Sequence, residues 1–225
     1  LEYDNAVKRN TVEGYERFLR VYQDSTFTIK INEHLTTLKK EIAFREAMTS
    51  RDFEKGEELL AQGVSVDCAD NNGYNALHYA SQTGDMKTVT FLLKNGADVN
   101  AEALLGETAY LLADNDVIAE YLLQKGAQKI EKSTFGVTPL MLAARHGRVA
   151  RLKTLLKKDA DVSVKDTQGV SALHWAISPT SETETIRLLL DNGALINIRD
   201  VEGHTPVIYA IRNGNLAVFK FLVEQ

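Results

Sequence analysis

Two histidines (His78 and His174), one cysteine (Cys68), an acidic pair (Asp114 and Asp116) and a serine-rich run, "SPTSETE" at 178–184, are the residues whose types could do chemistry. Zinc sites gather N and S ligands at short, regular spacings, and neither histidine has a Cys or His partner at such a spacing. A nucleophilic thiol needs a neighbouring base or cation to lower its pKa; around Cys68 the run "SVDCADNN" offers none, so Cys68 reads as a small packed thiol. A hard cation needs more oxygen ligands and a glycine-bearing turn than "LADNDV" supplies, so Asp114 and Asp116 read as a solvated link between helices. The serine run reads as a polar loop in which Ser181 and Glu184 form a capping box for the next helix. No glycine loop that would cradle a phosphate is present. The expectation is a chain with no catalytic residue, no metal ligand and no cofactor.

Composition narrows the class further. The 225 residues are 44% hydrophobic and 25% charged, enough apolar content to bury a core. The net charge of −5 leaves no clustered Lys and Arg to follow a phosphate backbone, so nucleic acid is not an expected partner. No apolar run reaches the length of a membrane span. With one cysteine, no internal disulfide forms, and the redox compartment stays open. The chain starts at Leu1 rather than Met, which reads as a processed or trimmed chain.

The elements that position these residues repeat along the chain. Gly73, Gly106, Gly136, Gly169 and Gly203 open similar blocks at spacings of 33, 30, 33 and 34 residues, and Gly63, Gly96, Gly126 and Gly193 close them. Each block runs from a glycine turn into a short helix such as "TPLMLAA", then a polar link, commonly with Gly (Gly84, Gly147, Gly214), then a Leu-rich helix such as "VTFLL". Proline suits the first helical position, where its missing N–H leaves no bond unmade. Such a unit cannot bury its apolar face alone, so neighbours must stack.

At these residues the chain resembles the ankyrin repeat family, whose pattern is Gly-x-Thr-Pro-Leu-His-x-Ala-Ala, a Gly link, a Leu-Leu pair and Gly-Ala-x-x-Asn. Five blocks match from about residue 70 to 225, and a turnless first one spans roughly 42–68. The resemblance implies an all-α solenoid of about six helix-turn-helix repeats with short β-turn tips. It also implies that His78 and His174 hydrogen-bond the neighbouring turn, and that Tyr79, Trp175 and Tyr209 are core aromatics packed between neighbours. The third repeat lacks three residues between Thr108-Ala109 and Leu122-Leu123, which predicts a shortened first helix. The fifth carries Pro179 in its link, which predicts a projecting loop.

Ahead of the repeats, "NTVEGYERFLRVYQDS" places Val12, Tyr15, Phe18, Leu19 and Tyr22 on one helical stripe, with Asn10 and Glu13 spaced as a capping box. Asp24 or Ser25 can cap a second helix with Phe27, Ile31, Leu35, Leu38 and Ile42 on one face. Residues 1–41 are therefore expected to form a helical hairpin cap, and 42–225 the repeat domain. The cap resembles TPR-like helical pairs of bacterial envelope proteins, which points to a bacterial periplasm or envelope, with the cytoplasm as the alternative.

Ankyrin family members bind folded proteins through turn tips and the exposed ends of the first helices. Here the tips are unusually apolar: Leu104 and Leu105, Phe135 and Val137, Val170, and Val201, with Arg145 and His146 at a neighbouring helix end. The expected function is a non-catalytic module, monomeric when free, that docks a folded protein, plausibly a partner enzyme, on these residues. It would act as an inhibitor of the self-protection type or as an adaptor. The alternative is the targeting module of a longer enzyme or secreted effector.

Overall fold

The computed structural model describes residues 2–22 and 27–225. Among them the chain forms fourteen helices and no strand; isolated antiparallel bridges join Glu102 to Thr108 and Lys165 to Ser171 at two tips. Three helices come first, α1 (Glu2–Arg9), α2 (Val12–Val21) and α3 (Thr28–Ser50). The end of α3 pairs with α4 (Phe53–Ala61). Five further pairs follow, each an inner helix and then an outer one: α5 (Ala76–Thr83) with α6 (Met86–Lys94), α7 (Ala109–Leu112) with α8 (Asp116–Gln124), and α9 (Pro139–Arg145) with α10 (Val149–Lys157). The last two are α11 (Ala172–Trp175) with α12 (Thr183–Asp191) and α13 (Pro206–Arg212) with α14 (Leu216–Val223). Six stacked pairs make the solenoid expected from the repeat.

Local sequence explains where the helices start. Asn75, Thr108 and Thr138 precede inner helices, and their side chains accept the N–H of the residue three further on, at 3.1, 3.4 and 3.3 Å. Pro139 and Pro206 occupy first helical positions. Outer helices start at Asp52, Asp85, Asn115 and Asn215, each capping in the same way. Along the outer row Leu59, Leu92, Leu122, Leu152, Leu189 and Leu222 are buried; the first three belong to one core cluster that runs from the end of α3 to the third repeat, and the last three to a second that runs on to α14.

The cap differs in detail from the expected hairpin. It contains a third helix, α1, whose Tyr3 ring meets Phe18 and Phe27 at centroid distances of 6.2 and 4.5 Å. Thr11, not Asn10, caps α2 and accepts from the Gly14 N–H at 3.1 Å. Glu13 then falls at the second helical position, too early for a capping box, while Asn10 adopts a positive φ of 43° and accepts from the Tyr15 hydroxyl. The expected caps Asp24 and Ser25 lie outside the described residues. Helix α3 crosses the 41/42 boundary unbroken: its first half packs Ile31, Leu35, Leu38 and Ile42 against α1 and α2, and its second half packs Phe44, Ala47 and Met48 into the first repeat.

The two expected irregularities are present. Helix α7 has four residues against eight in α5, and α11 has four before the loop that carries Pro179. At the start of α12, Glu182 holds the N-cap position without a side-chain bond, and Ser181 Oγ instead accepts the Ser178 N–H at 2.8 Å. Ser181 is drawn back into the loop, so the expected box with Glu184 does not form.

Neighbouring tips touch through their backbones. Leu104 N–H donates to the Asn72 carbonyl at 3.1 Å, Thr167 N–H to Phe135 at 2.9 Å and Val201 N–H to Gln168 at 3.0 Å. Such contact needs glycine at the turn: Gly169 has φ 73°, and a Cβ there would lie 2.8 Å from Val201 N, whereas Gly63 has φ 86° with open space around it. Both Gly169→Ala and Gly63→Ala should therefore lose about 1–2 kcal/mol for a left-handed alanine, and Gly169→Ala should lose more because it also forces two tips apart. Urea denaturation of the two variants checks this; equal midpoints would show that the tips do not press on one another.

Candidate functional site

The tips and the inner helices line one face of the stack, and a recurrent polar bond ties them together. Asp70, Asp166 and Asp200 open their turns, and in each case Oδ1 accepts two backbone N–H groups of the same turn at 2.8–3.0 Å. The other oxygen accepts from an aromatic side chain nine residues on: Tyr79 OH at 2.5 Å, Trp175 Nε1 at 2.9 Å and Tyr209 OH at 2.9 Å. Tyr79 is therefore not the core aromatic expected, whereas Trp175 and Tyr209 still pack against the core. Tyr79 is exposed and Trp175 and Tyr209 are half-buried, because a phenol or indole whose donor must reach a tip carboxylate stays at the surface. Burial and the adjacent carboxylate push Tyr79 and Tyr209 up to about 12. Partial burial opposes ionisation of Asp70, yet the bonds from Tyr79, Tyr74 and Asn72 hold it below the usual carboxylate range.

The middle of the face is built differently. Ala103 and Ser133 stand where the other turns have Asp, and Leu112 and Leu142, both buried, stand where they have the aromatic. Ser133 Oγ bonds its own turn, accepting from Phe135 and Val137 N–H at 3.2 Å. In the third turn Glu107 takes over: Oε2 accepts the Leu105 N–H at 3.0 Å and Oε1 the Tyr74 hydroxyl at 3.0 Å. The Arg145 guanidinium lies 3.6 Å from Glu107 Oε1 and 5.1 Å from the centre of the Trp175 ring, so Tyr74, Glu107, Arg145 and Trp175 link four successive repeats. Burial and the Glu107 charge push the Tyr74 phenol upward. The nine-residue spacing from Asp to aromatic in three blocks was the sequence signal for the first pattern; nothing local marked Glu107.

Of the expected docking residues, Leu104 (67% exposed), Leu105 (37%), Phe135 (45%) and Val201 (66%) project from the tips. Val170 is half-buried, and Arg145 and His146 are exposed. Val137 is a correction: at 1% exposure it belongs to the core, because the residue after the turn points back toward the helices. Although His146 is exposed as a residue, the groups packed about its ring and the charges of Arg145 and Arg148 hold its pKa below the ordinary histidine value, to about 4.

The other candidate chemistry resolves into structure. His78 Nδ1 accepts the Asn75 N–H, which places the proton on Nε2 for donation to the Ala101 and Glu107 carbonyls of the next turn, both at 3.1 Å. His174 repeats the arrangement with Ser171 and with the His204 carbonyl at 3.2 Å. Cys68 is buried, and burial pushes its thiol up even though Arg45, a cation that its sequence neighbours do not reveal, lies close. Asp116 is not simply solvated: Arg151 at 3.1 Å and Lys158 at 2.5 Å bind it, tying α8 to the fourth repeat. No group of His, Cys, Asp and Glu suited to a metal occurs among the described residues.

The family model for ankyrin repeats matches residues 6–103, 103–166 and 152–225. The chain belongs to the ankyrin repeat family. Human neurogenic locus notch homolog protein 2 is 34% identical over 148 residues, 64% of this chain and 6% of that protein. Human neurogenic locus notch homolog protein 1 is 32% identical over 158 residues, covering 68% of the chain and 6% of that protein. Dog inversin is 28% identical over 180 residues, 75% of the chain and 16% of that protein. The chain thus spans a small part of the length of the relatives it matches. Ankyrin repeats are generally protein–protein interaction modules, so the partners they imply are proteins, and no described helix is long and apolar enough to cross a membrane.

The buried histidines of the ankyrin stack make its stability depend on pH. Burial, as the largest cause, lowers the pKa of both His78 and His174 below the ordinary value near 6.5. Below about pH 6.5 the unfolded chain takes up protons that the folded chain refuses, so stability falls as pH drops toward the depressed folded values. The urea midpoint should fall between pH 7.5 and 5. A His78→Gln, His174→Gln variant should be weaker at pH 7.5 but flatter across that window; an unchanged slope would contradict the assignment.

Proposed function

We propose that this chain is a non-catalytic docking module that engages a folded protein through its tip ridge, with Leu104, Leu105, Phe135, Val170 and Val201 as apolar contacts and Arg145 and His146 as polar ones. One observation carries the reading: large apolar side chains project to solvent from turns that are themselves braced by backbone bonds between neighbours. A solvated turn gains nothing from an exposed Leu or Phe, whereas rigid apolar anchors with polar neighbours are the usual chemistry of a binding hot spot. Preorganisation also lowers the entropic cost of association. A ridge of this kind suits insertion into a cleft, which favours occlusion of a partner enzyme over passive tethering.

A second reading, that the domain targets a longer enzyme or effector, is favoured by the short share of its relatives that it spans. Both readings use the same ridge.

The test is a Leu104→Asp, Phe135→Asp variant. Both residues are exposed, so the helical circular dichroism and melting point should stay close to wild type, while affinity for a partner isolated with the wild-type chain should fall about 30-fold or more, the loss of roughly 2 kcal/mol expected of hot-spot anchors. Calorimetric titration reads the change, and undiminished affinity with an intact fold would overturn the ridge as the binding surface.

A further inference from the structure

The three residues missing from the third repeat leave a small polar notch. Because α7 stops at Leu112, the end of α5 and the start of α10 face each other across Ala113 and Asp114, enclosing about 10 Å³. Its polar lining comes from Gln82, Asp114, His146, Arg148 and Arg151 over an apolar floor. Gln82 and Arg151 are 8% and 9% exposed, and Gln82 Nε2 and Arg151 Nε are buried without a hydrogen-bond partner. The Arg151 guanidinium is not free to turn away, because its Nη1 is held by Asp116 Oδ1 at 3.1 Å.

A buried donor left unpaired costs about 1–3 kcal/mol, so two of them at one small cavity favour a guest that accepts hydrogen bonds. The volume is about that of one water-sized probe, which admits a single oxygen atom and cannot enclose a whole anion. Charge narrows the choice of guest. Arg148 and Arg151 line the notch, against one lining carboxylate, Asp114; the charge of Asp116, which Arg151 engages, is shared with Lys158.

We propose that this notch anchors a carboxylate: one oxygen of an aspartate or glutamate side chain on the docked protein enters it and accepts from Arg151 Nε and Gln82 Nε2. The second oxygen stays at the mouth beside Arg148. The proposal rests on the docking reading above and adds the chemistry of the partner, an acidic residue presented beside the apolar surface that meets the tips. An acidic partner also matches the face rather than the whole chain, whose net charge is −5.

The experiment uses sodium acetate as the probe and the isolated ¹⁵N-labelled chain. Acetate is titrated at constant ionic strength and pH 7 while the arginine Nε–H and side-chain amide signals are followed by NMR. The Arg151 Nε–H and Gln82 amide signals should move together and saturate, while the exposed Arg20 signal stays in place and neutral acetamide moves neither. Gln82→Leu should weaken the acetate effect at Arg151 at least several-fold; if that variant does not fold, the wild-type titration decides alone. No movement, or a drift shared by all arginine signals, would mean that the notch holds only water and would overturn the proposal. The titration needs no partner, so its failure leaves ridge docking standing, and failure of the Leu104→Asp, Phe135→Asp test leaves the notch standing.

Discussion

A pair of short helices with apolar residues on both flat sides cannot bury them unless another pair lies against each side. That constraint governs this protein. Inner helices of four to eight residues are far too short to be stable alone, and their outer partners are hardly longer. Stability comes from the strip of leucines and alanines shared between neighbours, and each repeat is ordered by the ones beside it. At the N-terminal end, α1, α2 and the first half of α3 supply a small core of their own, so the stack begins from an element that buries its own apolar face.

Stacking aligns the turns, and the polar chemistry of the chain is spent on that alignment. The histidines at the inner-helix positions donate across the joint to the next turn's carbonyls. In the second, fifth and sixth repeats the turn aspartates bond their own backbone with one oxygen and an aromatic of the inner helix with the other, tying each of those tips to its own repeat. Side chains that would be candidates for catalysis elsewhere are here fully occupied in holding geometry. The outward surface of the tips and the ends of the inner helices are left out of this network, so they can vary without disturbing the stack.

The third and fourth repeats depart from this scheme, and the departures belong together. Without an aspartate at Ala103 or Ser133 and without an aromatic at Leu112 or Leu142, the middle of the face relies on Glu107 and Arg145, which reach across several repeats. The most exposed leucine of the tips, Leu104, lies in the same region. The shortened α7 adds a notch where the buried donors Gln82 Nε2 and Arg151 Nε lack partners. A solenoid tolerates such changes because each repeat answers only to its neighbours, so an irregular repeat alters the local surface while the stack continues.

The sequence by itself determined the repeat, the helix pairs, the turn glycines and the shortened first helix of the third repeat. All of these follow from local patterns that recur in register: a capping residue, a proline or small residue at the helix start, a glycine where φ is positive. The apolar character of the tips was legible for the same reason, since a turn position is recognisable from its neighbours. Tertiary structure decided what depends on residues far apart in the chain. Val137 and Phe135 flank the same glycine, yet only the packing of the helices shows that one points inward and the other to solvent. The neighbours of Cys68 in sequence showed no cation, while folding brings Arg45 to it; Asp116 looked solvated until α10 delivered Arg151 and Lys158. Hydrogen bonds and ion pairs act over a few ångströms and are indifferent to sequence separation, so which polar groups find partners, and which are left without, is settled only when the repeats are stacked.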